Sequence, residues 1–205
     1  IDEEIQLYKR RYFKYWTKRP ERLFVGMAID LAISQKQDAD YTAIVIGGMD
    51  SERNIYLLDY ARGHWTPHQI IDEVFHKYSQ WQPNVCGMEA IGFQRAIKYA
   101  CEEEMRKRRK FFPIDELKGG TQSNAKELRI KALEPLYRGG NIHHAAWMEG
   151  KELEDELLSF PKGKHDDLID SESYLLSLLA PGGAESTREM PYGSYAYFER
   201  EAKRA

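Results

Sequence analysis

Three apolar runs follow one another early in the chain: LFVGMAIDLA from residue 23, YTAIVIGGMD from 41 and NIYLLDYARG from 54. Each has the length of a strand, and a near-continuous apolar run marks a strand that is buried. The short polar stretch MDSERN between the second and third predicts a tight hairpin turn. The chain therefore opens with three antiparallel strands in a meander, and that start leaves few folds open.

After residue 65 the period changes. TPHQIIDEVFHKYSQW (66–81) begins with Thr-Pro, a helix entry signal, and places Ile70, Ile71, Val74, Phe75 and Tyr78 at helical spacing. PNVCGMEAIG (83–92) predicts a short strand that ends at Glu89, and FQRAIKYACEEEMRKRR (93–109) a second helix. FFPIDEL predicts another short strand. SNAKELRIKALEPLYRGG (123–140) predicts a third helix, capped by Ser123 and ended by Gly139 and Gly140. NIHHA reads as a brief strand, GKELEDELLSFP as a short helix and DDLIDSESYLLSLLA (166–180) as the last helix. Strands in a meander, then alternating helices and short strands, predict an α/β fold: a mixed sheet with helices on both faces.

The 205 residues fit one domain with short appendages, and 42% hydrophobic content supplies a core. No apolar run reaches the roughly 18 residues that span a membrane, so no membrane partner is expected. Cys86 and Cys101 lie in no CxxC or zinc spacing and read as reduced, buried thiols. The chain starts at Ile1, which leads us to expect a piece of a longer protein. Residues 1–20, polar, aromatic and basic, read as a linker or arm, 21–180 as the domain, and 181–205 as a loose tail. The net charge of −3 argues mildly against a free-standing nucleic-acid binder. The basic run RKRRK at 106–110 reads equally well as a solvated helix end.

The acids are the unusual feature. Asp30 falls near the end of the first apolar run, Glu89 at the end of the strand after the first helix, and Asp166 and Asp167 at the start of the last helix. Ligand sites in α/β folds gather at strand ends. A buried ionised carboxylate is costly unless it is paired or coordinates a metal. Asp170 lies on the same helix face as Asp166, with Asp167 about 100° round. One of the adjacent aspartates is explained as a helix cap; the pair is not. Hard oxygen donors of this kind suit Mg²⁺ or Mn²⁺, and one or two such ions would relieve the repulsion. His165 reads either as an auxiliary proton-transfer group or ligand, or as a neutralising neighbour. Lys162 and Lys164, just before the acids, lie where a phosphate would arrive. Among the last-helix acids the order of preference as ligand is Asp166, then Asp167, then Asp170.

In their order and spacing, MAIDLAISQKQDADYTAIVIGG, GMEAIGFQRAI, AKELRIKALEPLYRGGNIH and FPKGKHDDLIDSESYLLSLL resemble the nuclease domain of the large terminase subunit of tailed bacteriophages, of the ribonuclease H-like superfamily. The resemblance runs from about Leu23 to Leu179. It implies a metal-dependent endonuclease that cuts double-stranded concatemeric viral DNA during genome packaging, leaving a 3′-hydroxyl and a 5′-phosphate. It assigns Asp30, Glu89 and the Asp166–Asp167 pair to catalysis and metal binding, and puts Lys126 and Arg129 near the DNA backbone. It also implies an upstream ATPase domain of the same protein, a portal and a small terminase subunit as partners, and action at the procapsid in the bacterial cytoplasm. No GxxxxGK[ST] occurs here, so the phosphate-cradling loop of such a motor lies outside this chain. Two other readings stay open: a junction resolvase or transposase-type nuclease of the same fold, and a non-catalytic ribonuclease H-like docking module.

Overall fold

The structure, a computed structural model, describes residues 6–32, 40–89, 93–117 and 124–180. The meander forms as expected: β2 (Phe24–Asp30) pairs antiparallel with β3 (Thr42–Met49), and β3 with β4 (Ile55–Gly63). Beyond β2 the sheet continues with β5 (Val85–Glu89) and β6 (Asp115–Leu117), both parallel to it. Beyond β4 it continues with β7 (Ile142–Ala145) and β1 (Lys14–Trp16), again parallel. The seven strands lie in the order β1-β7-β4-β3-β2-β5-β6, and β3 alone runs against the rest.

Alternate residues of a strand face opposite sides of the sheet, and here the two sides differ in size. Met27, Ile29, Ile44, Ile46, Cys86 and Met88 point to one face, where α1 (Pro67–Trp81) and α2 (Phe93–Arg108) cover them. Gly26, Ala28, Ala43 and Gly87, with Val45 and Val85, point to the other, which receives α6 (Asp167–Leu179). The small residues let α6 come very close. A Cβ added at Gly47 would stand 2.8 Å from a Leu175 methyl, and one at Gly87 2.9 Å from a Leu178 methyl. Ser171 Oγ donates to the Ala28 carbonyl at 3.1 Å, a contact open to a helix lying almost on the strand. Helix α5 (Glu152–Ser159) packs beside α6, and helices on both faces complete the expected architecture.

Two expectations change. The third helix is two: α3 (Ala125–Lys131) and α4 (Glu134–Gly139). Pro135 has no N–H to continue the helical ladder, so the chain restarts around it. The expected cap Ser123 lies outside the described residues, as does the tail 181–205. Residues 8–16 of the expected arm are part of the domain. Tyr8 is fully buried and Phe13 nearly so, both among the residues around α4 and β7, and β1 forms the sheet edge. Cys86 and Cys101 are free and buried, as expected. No helix among the described residues is long and apolar enough to cross a membrane.

A buried polar chain links α5, β7, α4 and α6. Glu154 Oε1 meets His144 Nδ1 at 2.8 Å, His144 Nε2 meets the Tyr137 hydroxyl at 2.9 Å, and that hydroxyl donates to Glu172 Oε1 at 2.7 Å. Burial pushes the Glu172 carboxyl from its ordinary 4.5 up to about 8. Between those values the folded protein keeps a proton that the unfolded chain has lost. The Glu172 contribution to stability is therefore full below about pH 4.5 and lost as pH rises through about 8. The unfolding free energy relative to Glu172→Gln is expected to fall across that window, by up to about 1.4 kcal/mol per pH unit. A difference that stays flat from pH 5 to 8 would contradict the assignment.

Candidate metal centre

Asp30 and Glu89 are brought together by sheet register. Ala28 pairs with Gly87 and Ile29 with Met88 across the parallel β2–β5 ladder. One step further on, Asp30 and Glu89 end neighbouring strands on the face that receives α6. The first turn of α6 lies over them.

The expected helix cap is absent. Asp166 occupies the cap position of α6 but makes no side-chain cap bond. Glu156 of α5 caps the helix instead: its Oε2 accepts from the N–H groups of Leu168 (2.8 Å) and Ile169 (3.3 Å), while its Oε1 holds Arg62 at 2.5 Å. The aspartates are thereby released from capping. Asp166 turns to Lys126, whose Nζ lies 2.6 Å from Asp166 Oδ1 and 3.6 Å from Asp170 Oδ2. Asp170, buried, also accepts from Arg129 at 2.8 Å. Asp167 is buried with Oδ2 lacking a hydrogen-bond partner; His165 Nδ1 is 3.8 Å away.

Electrostatics ties these groups into one cluster. Burial pushes the Asp30 carboxyl well above the usual range; Asp170, then Glu89 and Asp167, add to it, and Lys126 opposes them. Burial likewise raises Asp170 against the pull of Lys126 and Arg129, and Asp167 against the Tyr41 N–H and Lys126. Of the three last-helix acids, Asp170 acts most strongly on Asp30 and Asp167 next, whereas Asp166 faces Lys126.

Glu89 is held from two sides. The Tyr174 hydroxyl donates to Oε1 at 2.8 Å, and Gln94 Nε2 lies 3.4 Å from Oε2 while donating to the Leu31 carbonyl at 2.8 Å. Sequence reasoning missed Tyr174, Gln94 and Glu156. Tyr174 alone carried a local signal, because it lies four residues after Asp170 on the same helix face.

The basic residues divide. Lys162 and Lys164 are exposed on the turn between α5 and α6. Lys126 and Arg129, expected near DNA, point inward to the acids. His165 packs against the Tyr41 ring (4.9 Å between centroids), and Tyr41 in turn stacks on His64 at 4.1 Å.

The donors suit a hard divalent cation in kind: carboxylates crowded at a strand end, one with a buried oxygen left without a partner. Among the described residues, no three His, Cys, Asp or Glu side chains form a group that could hold a metal ion as it stands. The Lys126 ammonium supplies the positive charge between Asp166 and Asp170.

The fold is ribonuclease H-like. Compared with solved structures, the chain is similar to the large terminase nuclease of thermophilic phage G20c with bound zinc (TM-score 0.59, 16% identity, 83% of this chain and 96% of that one). It is also similar to the P22 large terminase nuclease domain (TM-score 0.58, 16% identity, 85% and 93%). The manganese-soaked human cytomegalovirus terminase nuclease domain matches as well (TM-score 0.58, 10% identity, 84% and 92%). No family model matches the sequence, and no curated protein does. The ribonuclease H-like fold expected from the sequence is therefore the one observed.

Proposed function

We propose that this domain is a divalent-cation-dependent endonuclease that cuts double-stranded viral DNA during genome packaging, within a large terminase. What supports the reading is the placement of Asp30 and Glu89 at the ends of two parallel strands, with Asp167 and Asp170 in the first turn of α6 and the charges of Glu89, Asp167 and Asp170 all acting on Asp30. Carboxylates whose charges act together on a buried Asp30 have little structural use there. Terminase nucleases of the same fold, including forms with bound zinc or magnesium and one soaked with manganese, support the choice.

In this reading Asp30, Glu89, Asp170 and Asp167 hold one or two Mg²⁺ or Mn²⁺ ions, with Asp166 beside them. Bound there, the cation would supply positive charge to the attacking and leaving oxygens of a phosphodiester displacement. The chain's own groups do the rest. Lys126 balances the acids from the α3 side. Lys162 and Lys164 offer exposed cations to DNA phosphates, contacts that position the duplex without reading sequence. An upstream ATPase, a portal and a small terminase subunit complete the proposed assembly, at the procapsid in the bacterial cytoplasm.

The protein is expected to cut linear duplex DNA with Mn²⁺ or Mg²⁺ and to stop when EDTA is added. A strong preference for four-way junctions over linear duplex would favour a resolvase. No cleavage of any DNA, together with no Mn²⁺ binding, would leave a docking module.

A further inference from the structure

Glu89 and Asp170 come from different elements and repel each other, yet the proposed site needs both turned toward Asp30. The structure joins them through one stacked pair. Tyr174, one helical turn after Asp170 on α6, donates its hydroxyl to Glu89 Oε1 at 2.8 Å. Arg129, from α3, donates to Asp170 Oδ1 at 2.8 Å and lays its guanidinium over the Tyr174 ring, 4.2 Å from the centroid. Each member thus fixes one acid, and the stack fixes the members to each other. Arg129 keeps a buried Nε with no hydrogen-bond partner, so its place is set by the stack and by Asp170. A guanidinium suits this position because it is planar, always charged, and stacks and donates at once, which a lysine ammonium does not.

We propose that Arg129 and Tyr174 are positioning residues of the metal centre: the stacked pair locks the Glu89 and Asp170 carboxylates into one unit that faces Asp30. The inference rests on the metal-dependent reading above. It gives Arg129 a role inside the site rather than on the DNA backbone. The simpler account makes Tyr174 a core ring whose hydroxyl happens to find an acceptor. The two differ in one respect. As a core ring, Tyr174 loses nothing at the metal when its hydroxyl is removed; as a positioning residue it does.

The test is a calorimetric titration of Mn²⁺ into the protein, without DNA. Tyr174→Phe keeps the ring and removes only the hydroxyl, and is expected to weaken Mn²⁺ binding about tenfold or more, the usual cost of losing a group that orients a metal ligand. Arg129→Lys keeps the charge but loses the fork and the stack, and is expected to weaken it similarly. The double variant is expected to lose less than the product of the two, because the members act together. Should Tyr174→Phe fail to fold, Arg129→Lys, on a half-buried side chain, carries the test alone. Unchanged Mn²⁺ affinity in the folded variants overturns the proposal, even where cleavage falls. If the unsubstituted protein binds no Mn²⁺, the metal-dependent reading fails with it. If that protein binds and cuts while the variants bind equally well, the positioning role alone fails.

Discussion

Asp30→Asn is expected to lower the rate of DNA cleavage about a thousandfold or more, while leaving the metal-free protein at least as stable as before. The first half follows from position: Asp30 is the acid on which the charges of Asp170, Glu89 and Asp167 all act. Losing charge stabilisation worth about 4 kcal/mol in the transition state corresponds to about three orders of magnitude in rate. The second half follows from the direction of its titration. The folded state disfavours ionised Asp30, by burial first and by Asp170 next. A neutral side chain of the same shape removes that cost at neutral pH. The lost attraction to Lys126 works the other way but is the smaller effect beside burial and Asp170. The backbone ladders of β2 with β3 and β5 are untouched. Saturating Mn²⁺ is expected to raise the melting temperature of the unsubstituted protein and to raise that of the variant far less. Plasmid nicking and a melting curve with and without Mn²⁺ check all three statements. Nicking at the normal rate would remove Asp30 from the site.

Glu156→Ala is expected to cost about 3 kcal/mol of stability, although it lies outside the acid cluster. The carboxylate is 4% exposed and serves three donors: Arg62 and the first free N–H groups of α6. Removing it leaves a half-buried guanidinium without its partner and two buried N–H groups unsatisfied. Burial pushes the Glu156 carboxyl up to about 7, so the measurement belongs at pH 8, where it is ionised. The damage has a direction as well as a size. Glu156 fixes the start of α6, and Asp167 and Asp170 are in that first turn. Denaturant unfolding is expected to show the loss, and amide exchange at Leu168 and Ile169 to quicken. A cost below about 1 kcal/mol would mean that water or Asp166 caps the helix adequately in its place.

Much of the sheet was legible in the chain. The meander followed from length and apolar character, and the helices around it from spacing and from Thr66 and Pro67 at the entry to α1. Asp30 and Glu89 stood out because strand ends are visible in a sequence. The break between α3 and α4 was visible too, in Pro135, but the helical spacing on either side of it hid the break. The alternation of Gly26 and Ala28 with Met27 and Ile29 is equally plain in the chain. It says that something packs closely on one face of the first strand, without saying what. Tyr8 and Phe13 fall in the stretch 1–20 that reads as a polar, aromatic and basic arm. Their burial depends on Tyr137 and Ile142, more than 120 residues away, and no local pattern reports such a contact.

The acids divide along the same line. Residue spacing along α6 placed Asp166 and Asp170 on one helix face, because 3.6 residues make a turn whatever surrounds the helix. Strand periodicity placed Asp30 and Glu89 at the ends of their strands for the same reason. These are properties of the local backbone, and the sequence by itself determined them. Which α6 acid acts most strongly on Asp30 was decided by tertiary structure alone. Glu156 took over the cap, Lys126 drew Asp166 aside, and Gly26, Gly47 and Gly87 let α6 settle deep enough for Asp170 and Asp167 to approach the strand ends. A carboxylate's partners are set by distances between elements, and those distances exist once the helix is packed on the sheet.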